Sequence, residues 1–271
     1  DRSVSRGLGD VYKRQVCDLA KTVSKFIGEE ADKVEADDII TKYHNNLVSY
    51  VDKEAEKRIV AGLQDILPTA GFIVEEETVA RSTNDYQWIV DPLDGTTNFL
   101  YNIPSYGVSI ALTHKGKVVL GVVNEVNRME CFYAWHGGGA YLNGRQIFVS
   151  KTDKLKDALL STGFPYYDFE VIDPYVVVLK QLMRDSRGIR RLGASAIDLC
   201  YVACGRYDGF FEHSLQPWDV AAGSIIVQEA GGKVCDFNGE NNYIFGFEMV
   251  AHNGNMNNEF FSLIHKHLGR K

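Results

Sequence analysis

The sequence is short of the features that mark several large protein classes. Its 271 residues include only six prolines and five cysteines, and no apolar run is long enough to cross a bilayer. The cysteines, Cys17, Cys131, Cys200, Cys204 and Cys235, are odd in number and scattered, with no Cys-x-x-Cys pair. That pattern argues against a disulfide frame or a zinc site and fits reduced thiols in a cytoplasmic protein. Cys200 and Cys204, spaced i, i+4 on an expected helix, read as two small core residues. The seven histidines show no metal-ligand spacing. Basic charge is also scarce: 29 Lys and Arg stand against 36 Asp and Glu, a net charge of −7. Direct binding to nucleic acid or an anionic membrane is therefore not expected. No internal repeat, low-complexity tract or Pro-rich linker is present. The opening stretch DRSVSRGLGDVYKRQ has neither the apolar centre of a secretory leader nor a periodic pattern. Residues 1–14 are expected to be a foreign or disordered tail outside the fold.

What is present is ordinary globular composition, 45% hydrophobic and 24% charged. A chain this long buries roughly three quarters of its unfolded surface and can hold a large core unaided. Val16, Leu19, Val23, Phe26 and Ile27 recur with helical spacing, so a first helix is expected from near Val16. Val51, Ala55, Ile59, Leu63 and Ile66 form a second helical stripe, closed by Pro68 and Gly71. Phe72–Glu75 and Gln87–Asp91 read as strands that deliver carboxylates to their ends. Between Ser105 and Phe148, short apolar runs are broken by His114-Lys115-Gly116-Lys117, Gly137-Gly138-Gly139 and Asn143-Gly144, the signature of an antiparallel meander. Beyond Ser150 strands and helices alternate: strands at 158–163, 207–212, 233–237 and 248–251, and helices at 173–185, 194–204, 219–230 and 257–267. A soft boundary near residue 150 divides an N-terminal α+β part, 15–150, from a C-terminal α/β part, 151–271.

The most informative stretch is Trp88-Ile89-Val90-Asp91-Pro92-Leu93-Asp94-Gly95-Thr96-Thr97-Asn98-Phe99. An apolar strand runs into an acid, Pro92 directs the chain after it, and a second acid follows three residues later. Two carboxylates so placed can hold hard cations through oxygen. Gly95, Thr96 and Thr97 then offer backbone N–H groups and hydroxyls at an expected helix start, a natural seat for phosphate. Taken alone, Asp-x-x-Asp-Gly is more often a solvated turn. A calcium loop is excluded, because the third position from Asp91 is Leu93 and the twelfth is Asn102. In Trp218-Asp219-Val220-Ala221-Ala222-Gly223, Asp219 stands where a helix begins and taken alone would be a cap. In Glu75-Glu76-Glu77 the first acid sits at a strand's carboxyl end, where sites form in layered α/β folds. Asp52 follows Asn46-Leu47-Val48-Ser49 and opens the second helix. Gly137-Gly138-Gly139 lacks the Lys-Ser/Thr of a P-loop and reads as a turn. An acidic protein handling phosphate needs cations to reverse the local field.

These four pieces, in this order, resemble the inositol monophosphatase family of lithium-sensitive, magnesium-dependent phosphatases. The resemblance runs from about Val16 to the C-terminus. It implies a layered αβαβα fold of the sugar-phosphatase type, with an antiparallel-rich N-terminal sheet and a smaller C-terminal α/β part, and often a homodimer. It further implies that Glu75, Asp91 and the Leu93 carbonyl hold one Mg²⁺, and that Asp91, Asp94 and Asp219 hold a second about 4 Å away. A third, weaker Mg²⁺ would sit near Glu75. Asp52 and Thr96 would orient and activate a water, with Glu75 also counted among the catalytic residues. Gly95 and Thr96 would bind phosphate, and Gly193, Ala194, Ser195 and Glu212 would line the pocket for substrate hydroxyls beside Asp94 and Asp219. The family usually shows Asp-Leu-Val-Thr where this chain has Asn46-Leu47-Val48-Ser49, but Asp52 is kept. The expected substrate is an inositol monophosphate or a similar small polyol phosphate. Alternatives with the same chemistry are fructose 1,6-bisphosphate, adenosine 3′,5′-bisphosphate and histidinol phosphate. Thr97 speaks for the inositol branch, since relatives acting on nucleotides and histidinol phosphate tend to carry Lys there. A different class is a regulatory binding protein on the same fold, against which the intact set Glu75, Asp91, Asp94 and Asp219 argues.

Overall fold

A computed structural model describes residues 2–34, 40–43, 46–82, 84–166 and 168–270. Helix α1 spans Arg2–Glu30. Residues 2–14 of the expected foreign or disordered tail lie within this helix, while Asp1 lies outside the described residues. This stretch contains no proline to stop the helix, Tyr12 packs on the core, and the Lys13 ammonium sits 3.7 Å from the centre of the Trp135 ring. A small hairpin, β1 (Ile40–Tyr43) with β2 (Asn46–Val48), leads into α2 (Tyr50–Ile66). Helix α2 opens on a capping box. The Ser49 hydroxyl accepts from the Val51 N–H at 3.2 Å, while Asp52 accepts the Ser49 N–H at 2.8 Å.

Seven strands follow as one sheet in chain order: β3 (Gly71–Val74), β4 (Tyr86–Asp94), β5 (Gly107–His114), β6 (Lys117–Glu125), β7 (Glu130–Trp135), β8 (Gly139–Leu142) and β9 (Arg145–Ile147). Only the β3–β4 pair is parallel; the rest is the expected meander. Two of its turns place non-glycine then glycine in left-handed conformation, Lys115 (φ 50) with Gly116 (φ 77) and Asn143 (φ 48) with Gly144 (φ 83), as primed hairpin turns require. The Gly137–Gly139 turn is held by a carboxylate, Glu229, which accepts the Gly137 and Gly139 N–H groups at 2.7 and 2.9 Å.

The second sheet has five strands in the order β11-β10-β12-β14-β13. They are β10 (Leu159–Thr162), β11 (Gly188–Arg190), β12 (Gly209–His213), β13 (Lys233–Cys235) and β14 (Glu248–His252). The helices are α3 (Thr96–Leu100), α4 (Ile172–Asp185), α5 (Ser195–Ala203), α6 (Pro217–Glu229) and α7 (Ser262–Leu268), the last preceded by a π-helical turn at Asn257–Phe261. Three apolar clusters show the layering. One joins α1 and α2 to the outer face of the large sheet, a second fills the space between the sheets around α5 and α6, and a third lies between the small sheet and α4 and α7. The order is αβαβα. Helix α6 is apolar around its whole circumference, as a helix between two sheets must be. It approaches so closely that a Cβ at Gly121 of β6 would lie 2.6 Å from the Ala222 carbonyl oxygen.

Candidate active site

Residues along β4 alternate between faces, and that alternation places the site. Trp88 and Val90 belong to the outer cluster, while Ile89 faces the inter-sheet space, so Asp91 also points inward toward α5 and α6. The strand does not stop at Pro92, as its position suggested. It continues to Asp94 with an irregular register between Asp91 and Asp94, where a proline is tolerated because no ladder N–H is needed. The Leu93 N–H donates to Asp91 Oδ1 at 2.9 Å. Gly95 then turns with φ 89, and a Cβ there would sit 2.9 Å from the Ser105 carbonyl oxygen and 3.2 Å from Ala194 Cβ. Only glycine meets both demands.

Asp219 arrives from the other side. It is the third residue of α6, not its cap, and accepts the Gln216 N–H at 2.7 Å. Ser109, the ladder partner of Asp91, donates its hydroxyl to the Trp218 carbonyl at 3.0 Å, which pins the start of α6 beside Asp91. The result is a cluster in which carboxylate oxygens of Asp91, Asp94 and Asp219 all lie within 4.8 Å of one another. Glu75, one residue past β3, shares a hydrogen bond with Asp91. Burial and the neighbouring charges of Glu75, Asp94 and Asp219 hold Asp91 well above the usual carboxylate range. Asp219 is raised well above that range by burial and by Asp94 and Glu212. Asp94 is raised to about 6 by burial, against the N–H groups of Ala196, Ile197 and Ser195 at the start of α5. The Ala196 N–H donates to Asp94 Oδ2 at 2.8 Å. Asp91 and Asp219 are raised by neighbouring acids with no cation opposing them, Arg191 acts only on Asp94 of the three, and the donors are all hard oxygens. That combination fits a divalent cation such as Mg²⁺.

Asp52 and Thr96 lie side by side. Asp52 Oδ2 accepts from the Ser49 N–H and hydroxyl, both at 2.8 Å, while Oδ1 lies 3.0 Å from Thr96 Oγ1. Thr96 Oγ1 is also 3.0 Å from the Leu93 carbonyl oxygen, so its single proton serves one acceptor at a time. Burial raises Asp52 against these hydrogen bonds. Gly193 turns with φ 88, and the Gly193–Ser195 segment is tied to the Asp91–Phe99 stretch by Asn98, whose amide donates to the Leu192 and Ser105 carbonyls at 2.7 Å each.

Glu212 projects from the inter-sheet face of β12 and packs on Gly163, where a Cβ would lie 1.7 Å from its Oε1. Burial pushes its carboxyl up to about 8, with Arg191 opposing the rise. Four residues not foreseen from sequence support this arrangement. Glu56, fully buried one turn after Asp52, accepts from the N–H groups of Glu76 and Thr78 and from the Thr78 hydroxyl, at 2.7, 2.8 and 2.7 Å. It thereby holds the loop that carries Glu75. An acid at i, i+4 from Asp52 on an apolar stripe was the available signal. Gly163, Arg191 and Asp198 carried no local signal. Arg191 is the cation that lowers Asp94, Glu212 and Asp198 alike.

A family model described as the inositol monophosphatase family matches residues 10–269. The chain belongs to the inositol monophosphatase family. The putative Nus factor SuhB of Neisseria meningitidis is 40% identical over 250 residues, covering 92% of this chain and 96% of that protein. The Nus factor SuhB of Escherichia coli is 40% identical over 86% of this chain and 88% of its own length. Among solved structures, the extragenic suppressor protein SuhB of Bartonella henselae superposes with a TM-score of 0.88 at 36% identity, covering 94% and 99% of the two chains. The Thermotoga maritima IMPase gives 0.84 at 31% identity, covering 92% and 95%. Membership of the family and the layered fold thus agree with the resemblance read from the motifs. No helix among the described residues is long and apolar enough to cross a membrane.

Proposed function

We propose that this protein is a Mg²⁺-dependent phosphomonoesterase that hydrolyses an inositol monophosphate or a similar small polyol phosphate. The observation that carries this reading is the cluster of Asp91 and Asp94, both buried, with the partly buried Asp219, all within 4.8 Å, beside which Asp52 of α2 meets Thr96 at the start of α3. Glu75, Asp91 and the Leu93 carbonyl would hold one ion and Asp91, Asp94 and Asp219 a second, with a third possible position near Glu75. Bound cations would neutralise the substrate phosphate and lower the barrier to in-line attack on phosphorus.

The chain's own part follows from its hydrogen bonds. Ser49 fixes Asp52 through Oδ2 and leaves Oδ1 for Thr96. When Thr96 donates to Asp52, its oxygen lone pairs can accept a hydrogen bond from the attacking water and orient it. Asp52, raised by burial, is then the base that draws the proton through Thr96. The Gly95 and Thr96 N–H groups at the start of α3 receive phosphate oxygens. Asp94 is steadied by α5 through Oδ2, and Glu212 accepts hydroxyls of the polyol beside Gly193, Ala194 and Ser195. A homodimer in the cytoplasm is the expected setting.

A second reading is favoured by one finding: relatives about 40% identical over most of the chain are named Nus factors. On that reading the protein acts through a partner in place of, or beside, catalysis. The test is phosphate release from inositol 1-phosphate, fructose 1,6-bisphosphate, adenosine 3′,5′-bisphosphate and histidinol phosphate, each with Mg²⁺ and with chelator. Mg²⁺-dependent turnover strongest on inositol 1-phosphate supports the first reading. Another preferred substrate keeps the chemistry and replaces the substrate. No turnover by folded, Mg²⁺-binding protein supports the second.

A further inference from the structure

Glu56 is fully buried on α2, one helical turn after Asp52. An acid on an apolar helix stripe needs donors, and among the described residues its donors all come from the loop after β3. Oε2 accepts the Glu76 N–H at 2.7 Å, while Oε1 accepts the Thr78 N–H at 2.8 Å and the Thr78 hydroxyl at 2.7 Å. Two N–H groups two residues apart face one anion when the residue between them turns sharply. Glu77 does so with left-handed backbone, φ 54, although it is not glycine. The arrangement is an anion nest closed on a carboxylate of the protein itself. The unfavoured φ at Glu77 marks a loop shaped around Glu56.

That loop carries Glu75. Strands β3 and β4 are parallel with Val74 beside Val90, so the next residues, Glu75 and Asp91, fall side by side and share a hydrogen bond. The ladder of β3 ends at Val74, and the first backbone anchor beyond Glu75 is the Glu76 N–H on Glu56. Helix α2 therefore presents Asp52 to Thr96 with one turn and grips the Glu75 loop with the next. One rigid element thus places two acids of the candidate site relative to each other. The residue type matters as well. Both Glu56 oxygens are acceptors, so glutamine would turn an NH₂ group against a backbone N–H on one arm.

We propose that Glu56 is a positioning residue for the metal site: by fixing the 75–78 loop it sets the affinity of the cation position that Glu75 and Asp91 would share, without touching cation or substrate. This rests on the reading of the acidic cluster as a Mg²⁺ site. Removing the hydrogen-bond partner behind a metal ligand typically costs about ten- to hundredfold in metal affinity.

The test is calorimetric titration of Mg²⁺ into the full-length, metal-free protein, with a thermal melt of each variant in chelator. Glu75→Gln and Asp219→Asn tell the two binding steps apart, one for each proposed position. Glu56→Gln should weaken the Glu75 step by about ten- to hundredfold and leave the Asp219 step within about twofold. A merely structural role would lower the melt without this selectivity. Thr78→Val removes one donor at a half-buried position and should weaken the same step by about fivefold, which keeps the test open if Glu56→Gln does not fold. A Glu75 step within about twofold of the parent in the folded variants, or equal losses at both steps, overturns the proposal. A parent protein that binds no Mg²⁺ removes the metal reading itself, and this proposal with it.

Discussion

Gly163→Ala tests how tightly the sheet shapes the substrate pocket. The backbone at Gly163 is not left-handed, so alanine suits it, but the new Cβ would lie 1.7 Å from Glu212 Oε1, 1.8 Å from Cδ and 2.3 Å from Oε2. Ordinary contact needs about 3.5 Å, so the carboxylate must retreat by roughly 1.8 Å. The atoms displaced are the far end of a flexible side chain, so the fold should lose about 1 kcal/mol or less, a Tm drop of about 4 °C at most. Substrate binding should suffer more. Above pH 8, where the Glu212 carboxyl is ionised, a hydrogen bond to this charged group is worth about 1.5–3 kcal/mol, which predicts a KM for inositol 1-phosphate raised by roughly ten- to hundredfold with kcat little changed. The assay is steady-state phosphate release at saturating Mg²⁺, with a thermal melt as the control. If the effect runs through Glu212, adding Gly163→Ala to Glu212→Ala should change nothing further. A KM within about twofold of the parent for Gly163→Ala would refute the placement of Glu212 in the pocket.

Asp94→Asn and Asp219→Asn should each nearly abolish turnover while leaving the melt intact; activity within about tenfold of the parent would remove the metal assignment. In chelator, thermal stability should rise as pH falls from 8 toward 6. Glu212 at about 8 and Asp94 at about 6 stand above the unfolded carboxylate range, so the folded state binds their protons more tightly. The stability linked to these groups is full below the unfolded pKa and is lost as pH rises through the folded values. Mg²⁺ should flatten this slope by replacing the protons, and a metal-independent slope would contradict the cluster's role. Gly121→Ala should cost about 1–3 kcal/mol by driving a methyl into the Ala222 carbonyl, and should weaken Mg²⁺ binding because α6 carries Asp219. A melt unchanged from the parent would mean that α6 does not seat on β6 as described.

The acids of the candidate site were legible because local chemistry marks them. Asp91 and Asp94 flank a proline and precede a glycine that must turn left-handed, Asp219 opens an apolar helix, and Asp52 completes a capping box. The meander was legible too, since Lys115-Gly116 and Asn143-Gly144 are turns whose backbone is written in their residue types. Less legible were features in which tertiary contact overrides local signal. Strand β4 runs through Pro92 because its partner β5 shifts register there. Helix α1 extends back to Arg2, where Tyr12 and Lys13 meet the large sheet.

The sequence by itself determined the family, the order of helices and strands, and the acids able to hold a cation, because each depends on residues near one another in the chain. Only the tertiary structure decided which acids meet. Asp91 and Asp219 are brought together by the Ser109–Trp218 hydrogen bond, Glu56 holds the loop of Glu75, and Gly163 makes room for Glu212. These relations follow from strand register and from which face each residue takes when two sheets close on α6, and no local pattern encodes them.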